Sequence, residues 1–220
     1  MNIRYLFLGS LLILLFACNN YNHKRLDKDP IVTSVFSHKE IESLDTVLLF
    51  FRDAVNNSNN IKTNDFSIKF NNYLAQIGNK SHLVSDIYRN LDFDSERKSS
   101  VISELKISGL FDELYYEDTI YYNTETNQYT REVTDSLVNI HIRPIRNGKY
   151  QQLIDEWSKT DSTMLEYSKT LLFAGDITPS FIARMVKDYQ SFDLSSERVQ
   201  LFYALTFIML QEPLKIISRK

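Results

Sequence analysis

Apolar residues recur at helical spacing along most of the chain beyond residue 36. Ser37 and Glu40 have the spacing of a capping box, and the apolar residues that follow, three and four positions apart, predict a helix to about Val55. The same spacing predicts a second helix from Phe66, with Gly78 as its C-cap, and shorter helices around residues 83–91 and 101–105.

Helical spacing returns in the C-terminal third of the chain, from Tyr150 to Leu172. Thr178 and Pro179 have the residue types of an N-cap and a first helical position, so another helix begins there. The last predicted helix, roughly 196–211, is apolar on nearly every side. It is too short to span a bilayer and is therefore expected to be the buried centre of a bundle.

Between residues 115 and 148 the pattern changes to aromatic and β-branched residues. Val138, Ile140 and Ile142 alternate with Asn139, His141 and Arg143, which indicates a strand. Pro144 places the end of this strand at a sheet edge, and Asn147-Gly148 indicates a turn. The pattern predicts a mainly α fold, a helical bundle with a small antiparallel β-hairpin or sheet insert around 115–148.

Composition supports this fold and narrows the possible partners. The 220 residues include only five Gly and four Pro, too few for the tight turns of an all-β fold or for Gly-rich phosphate-binding loops. The formal charge of −3 argues against a nucleic-acid partner, which would require a basic surface.

The N-terminal segment, residues 1–17, has the features of a signal peptide. One cation, Arg4, precedes an uncharged run from Tyr5 to Ala17. As a helix this run spans about 20 Å, short of the roughly 30 Å hydrocarbon core, so it is read as a signal peptide rather than a transmembrane anchor.

The single cysteine follows directly, and Leu15, Ala17 and Cys18 resemble the lipobox of bacterial lipoproteins. The resemblance covers only the first twenty or so residues. It implies fatty acylation of Cys18, a permanent membrane anchor and, because Asn19 follows, an outer-membrane location facing the periplasm. The alternatives are an ordinary secretory cleavage site, for which Leu15 is too large, and a short core helix with a structural cysteine.

After the cysteine, residues 18–36 are polar, mixed in charge and interrupted by Pro30, and we interpret them as a lipidated flexible tether with a reach of about 20 Å. Residues 37–220 then form a single mainly helical domain. Loss of residues 1–17 removes Arg4 and no acid, which leaves a formal charge of −4.

Motifs for catalysis or metal binding are weak. Two S-x-x-K matches are close to the roughly 1.4 that chance predicts, the acidic run from Asp92 to Glu96 lacks the rest of a calcium loop, and the four histidines are scattered. We therefore predict no metal, no cofactor and no catalytic set. His141 is interpreted as a solvated or locally bonded strand residue.

One surface feature stands out: five tyrosines lie within fifteen residues among acidic neighbours, namely Tyr115, Tyr116, Tyr121, Tyr122 and Tyr129. Tyrosine is enriched in recognition sites, so this segment is a candidate docking element, although it could equally cover the open side of the bundle. The favoured function is a non-catalytic, protein-binding envelope lipoprotein, for example an immunity-type protein that neutralises a periplasmic toxin.

Two alternatives remain open at this point. The first is a scaffold subunit of an envelope complex. The second is an envelope hydrolase with a carboxylate pair, for which the acidic pairs at 112–113, 117–118 and 155–156 are candidates.

Overall fold

A computed structural model describes residues 26–58, 61–80, 95–123, 128–130 and 137–210. Short 3₁₀ turns lie at Leu26–Lys28 and Tyr189–Ser191. The helices are α1 (Pro30–Val35), α2 (His38–Asn57), α3 (Phe66–Lys80), α4 (Ser95–Ser108), α5 (Phe111–Leu114), α6 (Lys149–Ser158), α7 (Ser162–Ala174), α8 (Pro179–Lys187) and α9 (Glu197–Ile208). The strands are β1 (Tyr115–Asn123), β2 (Gln128–Thr130) and β3 (Leu137–Pro144). The predicted mainly α fold with a small antiparallel insert is confirmed.

Helix α2 begins where the capping box predicts. The Glu40 carboxylate accepts the backbone N–H of Ser37 at 2.8 Å and pairs with the ammonium of Lys149 on α6. Partial burial raises the pKa of Glu40, but the hydrogen bonds from Lys149 and Ser37 outweigh it and leave that pKa below its usual value. The first turn of α2 is thereby attached to the first turn of α6.

Helix α9 is the centre of the bundle, as predicted. Every side chain from Val199 to Leu210 is buried, so the apolar residues on all sides of the helix have packing partners. Its Phe202 lies within 6.5 Å, centroid to centroid, of six aromatic rings: Tyr150, Trp157, Tyr167, Phe181, Phe192 and Tyr203. The core of the described fold is therefore an aromatic cluster around this one helix.

Helices α6 and α9 run antiparallel, which gives the bundle two distinguishable ends. At one end the Tyr150 hydroxyl lies 2.7 Å from Oγ1 of Thr206. At the other the Arg198 guanidinium lies 4.7 Å from the ring centre of Trp157. We call the first the sheet end, because the sheet begins there, and the second the Trp157 end.

The sheet has the order β2-β1-β3, with both pairings antiparallel. It is fixed at its base, where the Tyr115 hydroxyl donates to the carbonyl of Leu205 at 3.0 Å and the Ile145 N–H donates to the carbonyl of Leu114 at 3.0 Å. Pro144 closes β3, which is an edge strand as predicted, and Asn147 occupies the following turn with φ 62°.

The predicted tether is wrong over residues 26–36, which are folded. Leu26, Val32 and Phe36 are buried in the core. Asp29 caps α1 by accepting the N–H groups of its first turn, and Arg198 Nη1 lies 3.3 Å from the same carboxylate. Pro30 starts this helix rather than breaking a chain, since a proline at the first helical position loses no hydrogen bond. The domain therefore begins at least eleven residues earlier than the sequence pattern indicates.

A second correction concerns Gly78, which lies inside α3 rather than at its C-cap, since the helix continues to Lys80. The predicted helix at 83–91, the signal peptide, Cys18 and most of the acidic run at 92–96 lie outside the described residues. Within the described ranges, no helix combines the length and apolar character needed to cross a membrane.

Candidate functional site

A compact ionic cluster lies on one face of the sheet, close to its base. In the β1–β3 ladder Asp118 is directly opposite His141, and Tyr116 is directly opposite Arg143. Directly opposed residues of an antiparallel pair project to the same side, so these four side chains share one face. All four lie at the sheet end of the bundle.

Arg143 is the centre of this cluster and is held from two sides. Its Nε lies 3.0 Å from Oδ2 of Asp118 on β1, and its Nη1 donates to Oδ2 of Asp176 in the connection between α7 and α8. The Asp176 carboxylate in turn accepts the N–H of Ile177 at 2.7 Å. The guanidinium is thereby fixed between two carboxylates that come from different parts of the fold.

Gly175 explains how Asp176 reaches the sheet. It ends α7 with φ 68°, a left-handed backbone conformation that residues other than glycine rarely adopt. Its N–H donates to the carbonyl of Leu171. The chain therefore turns sharply after α7, and the next residue meets Arg143.

His141 is half-buried beside this ion-pair cluster. Burial lowers its pKa and the neighbouring Arg143 lowers it further, while the carboxylates of Asp118 and Asp176 oppose both effects without reversing them. With a pKa below the ordinary 6.5, the imidazole is neutral at pH 7.

A cavity of about 60 Å³ adjoins the cluster and is lined by His141, Arg143, Asp176 and four apolar residues, namely Ile142, Ile177, Met209 and Leu210. Sites for drug-sized ligands measure about 300–1,000 Å³. This cavity accommodates a few water molecules rather than a sugar ring or an organic cofactor.

Exposed apolar side chains lie close in sequence to two members of the cluster. Phe173, in the last turn of α7 and three residues before Asp176, is 97% exposed, and Leu172 beside it is 51% exposed. On the sheet itself Tyr116 is 45% exposed. A phenylalanine in full contact with water contributes little packing to its own fold, and contiguous exposed apolar patches with polar rims are typical of interaction sites. We call Tyr116, Asp118, Arg143, Leu172, Phe173 and Asp176 the sheet-end surface.

The structure separates the five predicted tyrosines. Tyr115 is 1% exposed, and burial raises its pKa well above the ordinary value, so its assignment to a docking surface is wrong. It fixes the base of the sheet instead. Tyr116 is exposed and Tyr121 is half-buried. Tyr122 and Tyr129 are directly opposite each other in the β1–β2 ladder, and the description of these two residues is limited to their backbone.

The acidic pairs of the hydrolase alternative also differ from one another. Asp112 and Glu113 are both exposed on α5. Asp155 accepts the hydroxyl of Ser168 at 2.6 Å, and Glu156 pairs with Lys159. The carboxylates that come together at the sheet-end surface, Asp118 and Asp176, are not neighbours in sequence. The Arg143 guanidinium pairs with both of them.

Sequence reasoning missed Phe173 and Asp176. Phe173 follows two leucines in a helix, so helical spacing assigns it to the core, and nothing local distinguishes it from a buried residue. Asp176 lies in an irregular segment whose position depends on the turn at Gly175. The one signal for a polar face of the sheet is the alternation of apolar residues with Asn139, His141 and Arg143.

Among the described residues, no group of three or more histidine, aspartate or glutamate side chains is arranged to hold a metal ion. Comparison of the chain with protein-family models, curated proteins and solved structures found no match.

Proposed function

We propose that this protein is an envelope lipoprotein that is anchored by acyl chains on Cys18 and faces the periplasm. It binds another protein through the sheet-end surface and does not catalyse a reaction. One observation carries the proposal: exposed aromatic and apolar side chains adjoin an arginine that is already held in position. Tyrosine, phenylalanine and arginine are frequent energetic centres of protein interfaces.

Preorganisation supports a recognition role for Arg143. A surface arginine normally loses side-chain entropy when it is immobilised at an interface. Here the contacts to Asp118 and Asp176 immobilise it in advance. The same contacts disfavour the hydrolase alternative, because both carboxylates are already paired with one guanidinium.

The charge of this end indicates the chemistry of the partner. Asp112 and Glu113 are exposed near the base of the sheet, Glu117 is paired with Lys106, and Asp118 and Asp176 together outweigh Arg143. A complementary partner would present lysine or arginine side chains around an apolar pocket that receives Phe173. An immunity-type interaction with a basic toxin in the periplasm is one form of this proposal, and a scaffold subunit is another.

The binding experiment compares one double variant with one single-substitution control in the full-length protein. Tagged wild type is purified from its native envelope, and co-purifying proteins are quantified by mass spectrometry. Combining Phe173→Ala with Tyr116→Ala should lower recovery of the specific partner by at least about tenfold, the cost of losing an interface hot spot. The control is Leu49→Ala, which removes an apolar side chain that is 53% exposed on α2. Equal recovery from both variants, or the absence of a partner from the wild type, refutes the proposed binding role.

The anchor has a separate test. The chain contains a single cysteine, so Cys18→Ala should abolish labelling by a fatty-acid probe and shift the protein out of the membrane fraction. Labelling that persists in this variant contradicts the proposed acylation of Cys18. The binding experiment does not depend on this result and still tests the binding role.

A further inference from the structure

We infer that the bilayer lies against the Trp157 end of the bundle and that the sheet-end surface is thereby presented away from the membrane. This orientation rests on the proposed acylation of Cys18. It follows from the corrected start of the domain and from the antiparallel arrangement of α6 and α9, neither of which the sequence pattern revealed.

The first step is the length of chain between the lipid and the fold. Seven residues separate Cys18 from Leu26, which is the first described residue and is buried. Eight links of at most about 3.5 Å each span no more than about 28 Å, however they are arranged. A tether that ended at residue 36 would have more than twice as many links, so the folded segment restricts the distance of the domain from the membrane considerably.

The second step is the resistance of residues 26–36 to detachment from the fold. Leu26, Val32 and Phe36 are each at most 3% exposed. Burial of large aliphatic and aromatic side chains is the dominant favourable contribution to folding, so releasing all three to lengthen the tether would cost a large share of the stability of a typical domain. The chain is therefore held to the fold from Leu26 onward.

The third step is the location of Leu26 in the bundle. Its carbonyl accepts the N–H of Asp29 at 3.1 Å, and Asp29 contacts Arg198, which lies over Trp157. The chain thus joins the fold at the Trp157 end. From Arg198 the helix α9 runs seven residues, about 10 Å, to Leu205, where Tyr115 begins the sheet.

These three steps place the short tether and the sheet-end surface at opposite ends of the same pair of helices. The membrane constrains one end, and the other is accessible to a partner that approaches from the periplasm. The bilayer is the proposed neighbour of the Trp157 end because the acyl chains on Cys18 cannot leave it and the tether is short.

The test measures energy transfer from single fluorophores to acceptor-labelled lipids. Full-length protein, acylated at Cys18, is reconstituted into phospholipid vesicles with acceptors on the headgroups of the outer leaflet. Cys18 is the only natural cysteine, so an introduced cysteine is the single free thiol. Lys28→Cys and Lys159→Cys place the fluorophore at exposed positions of the Trp157 end. Asp112→Cys and Thr119→Cys place it at exposed positions of the sheet end.

We expect at least about twofold more transfer from positions 28 and 159 than from 112 and 119, since about 10 Å of helix and part of a strand separate the two pairs. Equal transfer from the four positions, or the reverse order, overturns the inference. If the wild type is not acylated or does not float with the vesicles, the proposed anchor itself has failed, which is a different result.

A spacer variant tests the cause. Inserting about 15 Gly and Ser residues between Asn20 and Tyr21 removes the length restriction while leaving acylation and fold unchanged. The difference in transfer between the two ends should then largely disappear. A difference that persists would show that the tether does not set the orientation, and it would overturn the inference as stated.

Discussion

Helix α9 and the sheet-end surface use polar side chains in opposite ways. On α9 the Thr206 hydroxyl lies 2.7 Å from the Tyr150 hydroxyl and donates to the carbonyl of Phe202, so each polar atom is enclosed by the core and paired within it. At the sheet-end surface the Arg143 ion pairs remain partly open to water, and Phe173 contacts mostly solvent. The buried contacts of the fold are concentrated in the first region, and the recognition that we propose is assigned to the second.

This difference can be tested by making the same substitution in both regions. Phe202→Ala removes a ring that packs against six other aromatic rings and should destabilise the protein by about 3–5 kcal/mol, the usual cost of an aromatic cavity. Phe173→Ala removes a ring that is 97% exposed and should change the free energy of unfolding by less than about 0.5 kcal/mol.

Urea denaturation followed by circular dichroism measures both values. A loss of more than 2 kcal/mol in Phe173→Ala would mean that this side chain packs against the fold, and the sheet-end surface would lose its main apolar member. If Phe202→Ala unfolds the protein completely, Phe202→Leu gives a measurable intermediate cost.

The sequence predicts α9 better than it predicts the sheet-end surface. The helical residues from Val199 to Leu210 are apolar on all sides, so burial of α9 could be predicted without knowing its neighbours. The capping box at Ser37 and the Thr178-Pro179 start are local signals and were likewise correctly interpreted. Local patterns are informative where the physical cause is local.

The sheet-end surface depends on contacts between residues far apart in sequence. Arg143 and Asp176 are 33 residues apart and meet because Gly175 turns the chain. The exposure of Phe173 likewise follows from how α7 packs and not from its own residues. The start of the domain was missed for a different reason: α1 has only six residues, too few for its apolar positions Ile31, Val32 and Val35 to show a helical period, and only burial reveals the segment as core.

The ion pairs of Arg52, on α2, and of Arg143 give a second comparison, with a smaller expected effect. Arg52 pairs with Glu197 at 2.9 Å, and the two side chains are 14% and 9% exposed. Arg52→Met leaves the buried carboxylate without this partner and should cost about 3 kcal/mol. Arg143→Met affects carboxylates with more access to water and should cost about 1 kcal/mol.

The same variants also separate stability from recognition. Arg143→Met should reduce partner recovery more than Arg52→Met when both are compared at a temperature where each remains folded. Recovery that follows the loss of stability in both variants would mean that Arg143 contributes to binding only through the fold.

The smallest expected effect concerns His141 and the pH dependence of stability. Its pKa is lowered in the folded state, so as the pH falls below the ordinary 6.5 the unfolded chain takes up a proton before the folded protein does. The stability that depends on neutral His141 is therefore complete above pH 6.5 and declines as the pH falls from there toward the lowered pKa. His141→Gln removes this pH-dependent contribution to stability, so the melting temperature of the variant should fall less than that of the wild type between pH 7 and 5.5.

The matched control for this prediction is His38→Gln, because His38 is exposed on α2. Glu40, whose pKa is below 4.5, loses its contribution only at lower pH and does not interfere in this window. If the melting temperatures of wild type and His141→Gln fall by the same amount while the fold is intact, the burial of His141 beside Arg143 has no effect on its titration, and the polar face of the sheet is more open to water than its contacts indicate.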